Sequence, residues 1–81
     1  MVGSMNKTLV ILQEECAELI HIISKIHRFG MNDQNNRERL VQEAGDVMAM
    51  INFLIEEDYM TYKELHEAIA IKIDKLKVWA K

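Results

Sequence analysis

The chain has no proline and only three glycines among its 81 residues. Without the residues that break helices and punctuate strands, the composition favours helix from end to end. A single cysteine, Cys16, excludes an intrachain disulfide and suits a reducing, cytoplasmic setting. There is no basic excess: 10 Lys and Arg face 13 Asp and Glu, a net charge of −3. That balance counts against a binder of nucleic-acid polymers, which must neutralise many phosphates, but leaves a single nucleotide open as a ligand. No apolar run approaches the roughly 20 residues of a membrane span, and the N-terminus lacks the layout of a signal peptide.

Hydrophobic residues nevertheless make up 49% of the sequence. A chain this short fills one domain and buries only about 60–65% of its unfolded surface. The apolar content exceeds what a lone three-helix unit needs, so self-association, as a homodimer or a dimer of dimers, is the expected outlet. Met1, Val2, Gly3 and Ser4 ahead of Met5 read as an expression remnant, leaving residues 5–81 as the domain.

Apolar periodicity divides the chain into three helices. The first is expected over residues 5–29, with Gly30 as a left-handed cap, and carries the stripe Leu9, Leu12, Cys16, Leu19, Ile23 and Ile26. A polar loop, residues 31–36, follows. The second helix is expected to start near Asn35, capped by Asn35 with Glu38, and to end near Glu57. After a break at residues 58–60, Thr61 and Glu64 form a capping box for a third helix bearing Tyr62, Leu65, Ile69, Ile73 and Leu76. Long helices and short loops imply an all-α, antiparallel bundle completed by homo-oligomerisation.

Two acid pairs interrupt this pattern. Glu15 and Glu18 sit in the seam Ile11, Glu15, Glu18, Ile22, and Glu43 and Asp46 in the seam Glu43, Asp46, Met50, Phe53. Each pair has i,i+3 spacing, which places both side chains on one helix face. Glutamates at this spacing also decorate many solvated helices, but here they stand where apolar residues belong. Glu18 and Glu43 each lie about a dozen residues from Met31, where the loop begins, so a hairpin brings them to comparable heights. Desolvated like charges are expensive without a cation, and oxygen ligands suit a hard divalent ion, which in turn implies a phosphate-bearing substrate. Gly45, between the second pair, leaves room for another helix to approach.

The string Glu14-Glu15-Cys16-Ala17-Glu18-Leu19, followed after the loop by Glu43-Ala44-Gly45-Asp46-Val47, resembles the signature of the MazG-like nucleotide pyrophosphohydrolases. The resemblance runs over about Leu9 to Trp79. It implies cleavage of a nucleoside triphosphate between the α and β phosphates, in a house-cleaning role on aberrant or surplus (deoxy)nucleotides. It further implies Mg²⁺, with Mn²⁺ as a substitute, held by Glu15, Glu18, Glu43 and Asp46, with Glu15 or Glu18 taking the proton of the attacking water. Phosphoribosyl-ATP hydrolysis is a second enzyme reading, and a helical dimerisation module with solvated acids is a non-enzymatic one. Larger relatives carry an extra N-terminal aromatic element. Here the base pocket falls to Ile11, Met50, Phe53 or a neighbouring subunit, and Leu76 and Lys77 replace the asparagine and arginine common in the C-terminal motif.

Lys72, Lys75 and Trp79 share one face of the third helix. The lysines resemble the family's basic tail and could hold phosphates, although cations at a helix C-terminus also suit its dipole with no ligand. Trp79 could stack on a base or plug an oligomer interface. Asn52 could bond a base or sugar hydroxyl, or set helix register. Lys25, Arg28 and Arg37 flank the loop as a rim, and the three histidines have no zinc-ligand spacing.

Overall fold

The computed structural model describes residues 6–79. The expected remnant at residues 1–4 lies outside the described residues. Those described form three α-helices and no strand: α1 (Lys7–Phe29), α2 (Gln34–Glu56) and α3 (Tyr62–Trp79).

Local chemistry sets each boundary. The Asn6 side chain accepts from the Leu9 backbone N–H at 3.1 Å and caps α1. Gly30 ends it with φ 92° and ψ 162°, donating its N–H to the Ile26 carbonyl. The positive φ needs glycine, but the extended ψ differs from the left-handed cap expected, because the chain turns at once into the short loop. The N-cap of α2 is Asp33, which accepts from the Asn35 N–H at 2.9 Å. This corrects the expected Asn35–Glu38 box: a strong cap residue two positions earlier takes the role, and Glu38 instead accepts from Gln34 Nε2. Before α3, Thr61 and Glu64 form the expected reciprocal box, with bonds of 2.9 and 3.1 Å.

α1 and α2 pack as an antiparallel hairpin. At the open end Thr8 Oγ1 and Asn6 Nδ2 both donate to the Glu57 carboxylate, and at the loop end Asn36 Nδ2 donates to the Gly30 carbonyl. The buried apolar core is thin: among the described residues Ile22, toward the loop end, and Leu54, toward the open end, are its fully buried apolar side chains. Along α3 no residue is buried. Ile69, Ile73, Leu76 and Trp79 are exposed, and Leu65 is half-buried. α3 is tied to α2 near its start, where Tyr62 Oη donates to Asn52 Oδ1 at 3.1 Å. The expected third layer of the bundle is therefore not closed within the chain, because among the described residues no helix packs along the apolar stripe of α3. Gly45 likewise has open space where a Cβ would project, so no helix of the same chain uses the gap.

Candidate active site

The hairpin brings three acids to one point. Glu15 from α1 and Glu43 and Asp46 from α2 offer carboxylate oxygens that all lie within 4.8 Å of one another. Among the described residues this is the one group of three or more acidic, histidine or cysteine side chains so close. Glu43 is 5% exposed, and Glu15 and Asp46 are half-buried. Partial loss of water holds the Glu15 carboxyl above its usual range, and the charges of Asp46, Glu43 and Glu18 push the same way. Three crowded oxygen donors short of water form a donor set that fits a hard divalent cation.

Glu18 lies outside this trio. Its Oε2 is 3.8 Å from Arg39 Nη2, which also donates to Glu43 Oε2 at 3.3 Å. Arg39 thus ties the fourth motif acid to the buried one, and among the described residues it is the one cation within 4 Å of these acids. Arg39 is not among the residues expected at the site from the sequence. Its signal was the i,i+4 spacing to Glu43, a pairing that helices favour between opposite charges.

Toward the loop, a cleft of about 360 Å³ opens beside the acids, lined by Glu18, His21, Lys25, Asn36 and Arg39 among others. Lys25 therefore faces a concavity, while Arg28 lies over the Phe29 ring, 5.3 Å from its centroid. Lys72, Lys75 and Trp79 border a separate depression on α3 that shares no residue with this cleft. Asn52 is exposed and engaged by Tyr62. Of the candidate base-pocket residues, Ile11 and Phe53 are exposed and Met50 is half-buried. Cys16 is a half-buried free thiol.

The fold and the site define the class: an all-helical protein whose hairpin gathers carboxylates from both arms into one cluster. The chain belongs to the MazG family, since the model of the MazG nucleotide pyrophosphohydrolase domain matches residues 4–78. Nucleotide pyrophosphohydrolase activity is the general function this membership supports, and enzymes of the family generally depend on a divalent metal. No curated protein and no solved structure matches the chain. No helix among the described residues is long and apolar enough to cross a membrane.

Proposed function

We propose that the protein hydrolyses (deoxy)nucleoside triphosphates to the monophosphate and pyrophosphate with the help of Mg²⁺ or Mn²⁺. The reading places it in house-cleaning of aberrant or surplus nucleotides in the cytoplasm. The observation that carries it is the convergence of Glu15, Glu43 and Asp46, within 4.8 Å, in a chain of this family.

Glu15, Glu43 and Asp46 would hold the ion in this reading, with Glu18 beside them and not committed to it. When bound, the ion supplies electrophilic activation of the α-phosphorus and charge neutralisation for the departing pyrophosphate. Water adds to the α-phosphorus, the bond to the α–β bridging oxygen breaks, and the water's proton passes to a glutamate. Glu18 is best suited to accept it, because it is the motif acid outside the trio. Glu15 is the other candidate. Lys72 and Lys75 serve as outer cations for the phosphate chain, Trp79 as a stacking surface and Asn52 as a polar contact. α3 reaches the substrate through a homodimer or dimer of dimers.

The test is pyrophosphate release from a panel of common and damaged nucleoside triphosphates, with and without Mg²⁺. Metal-dependent release is expected. Glu43→Gln and Asp46→Asn should each lower kcat by more than the roughly 10–100-fold that loss of an outer-shell partner costs. Absence of turnover on every nucleotide, or full activity in both variants, would remove the assignment.

A further inference from the structure

A nucleoside triphosphate is polar at one end and flat and largely apolar at the other, so a site that cleaves its middle must treat its two sides differently. The surroundings of the acid trio do so. One turn from Glu15 and Asp46, away from the loop, stand Ile11 and Met50, and Phe53 follows one turn beyond Met50. On the loop side lies the cleft lined by His21, Lys25 and Arg39, and its only carboxylate is Glu18. That carboxylate is already within 3.8 Å of Arg39. At about 360 Å³ the cleft falls at the lower end of the roughly 300–1,000 Å³ found for small-molecule sites. Asn35 and Asn36, in the first turn of α2, also line it; the nearest acid of that helix end, the N-cap Asp33, is not among the lining residues and is engaged by the Asn35 N–H. Buried Asn36 pins the wall to the loop through the Gly30 carbonyl.

Arg39 is common to both places. Its Nη2 holds Glu43 and Glu18 together, at 3.3 and 3.8 Å, and its side chain also lines the cleft. A divalent cation on Glu43 would compete with the guanidinium for the charge of that carboxylate. An arginine released from a carboxylate retains a planar fork suited to two phosphate oxygens.

We propose that this cleft seats the pyrophosphate half of the substrate, and that Arg39 turns to it from Glu18 and Glu43 when the carboxylates take up their metal ion. The inference rests on the function proposed above and fixes the direction of the nucleotide, with the terminal phosphates toward the α1–α2 loop and the base toward Ile11, Met50 and Phe53. The exchange also frees Glu18 at the moment its carboxylate is needed for the water's proton.

Two calorimetric titrations of the full chain test this without turnover: Mn²⁺ alone, and inorganic pyrophosphate with Mg²⁺ present. Arg39→Gln and Lys25→Gln should each weaken pyrophosphate binding about tenfold or more, the usual cost of losing a charge-assisted hydrogen bond. In the Mn²⁺ titration, Arg39→Gln should bind severalfold more tightly than the parent, since a competing cation has gone. Arg39→Lys keeps the charge but loses the fork, and should weaken pyrophosphate binding as well. It and Lys25→Gln decide the matter if Arg39→Gln does not fold. Pyrophosphate affinities within about twofold of the parent in these variants, or losses confined to Lys72→Gln and Lys75→Gln, overturn the cleft assignment and leave the proposed function standing. An Mn²⁺ affinity that fails to rise in Arg39→Gln overturns the exchange. A parent chain that binds no Mn²⁺ sinks the metal reading and this proposal together.

Discussion

A carboxylate pressed against two others loses water and gains repulsion, and Glu15 meets both conditions beside Glu43 and Asp46. Its proton is therefore held to higher pH in the folded protein than in the unfolded chain. The sign follows from linkage: the stability this contributes is complete below the ordinary value of 4.5 and is lost as pH rises through the raised one. In the metal-free protein, Glu15→Gln should raise Tm at neutral pH and change it little in acid. The advantage over the parent should grow as pH climbs, as scanning calorimetry across that range would record. An unchanged or lower Tm at neutral pH would show that the cluster carries no such penalty. The four motif acids were legible in the sequence because they occupy apolar positions. Arg39 was harder to single out, since a cation on a helix surface looks alike whether it faces water or bridges a carboxylate four residues on to another on the neighbouring helix.

At the scale of the helices, the turn after α2 shows how caps decide boundaries. Asp58 has φ 65°, its N–H donates to the Ile55 carbonyl, and the next N–H, of Tyr59, donates to the Leu54 carbonyl. This is the paired-bond ending that glycine usually provides, here with a residue for which a left-handed backbone is costly. Asp58→Gly is expected to stabilise the protein by about 1 kcal/mol, read as a rise in the urea midpoint at constant m. A fall in midpoint would mean that the Asp58 side chain contributes more than its backbone costs. The Thr61–Glu64 box was legible because its bonds span three residues. The start of α2 was misplaced because Asp33, Asn35 and Asn36 all cap well, and only the path of the loop from Gly30 selects Asp33.

Taken whole, the described chain is a helical hairpin with a third helix whose apolar side is uncovered. Ile69, Ile71, Ile73, Leu76, Val78 and Trp79 are exposed on α3, and Val41 and Met48 flank the open gap at Gly45 on α2. Surface of this extent is costly in water, and a second copy is the occupant we propose. Light scattering should give two or four times the 9.5 kDa chain mass, and Ile73→Glu should lower it. A mass of one chain at micromolar concentration, unaffected by that substitution, would retire the oligomer. The sequence by itself determined the three helices, the i,i+3 acid pairs and the family, because helical hydrogen bonds, caps and one-face spacing are properties of neighbours along the chain. Only the tertiary structure decided that Glu15, rather than Glu18, joins Glu43 and Asp46, that Arg39 stands between Glu18 and Glu43, and that α3 finds no partner along its apolar stripe among the described residues. Those outcomes depend on how far each helix is rotated about its axis and on where the loops aim it. Residue spacing within a single helix does not contain that information.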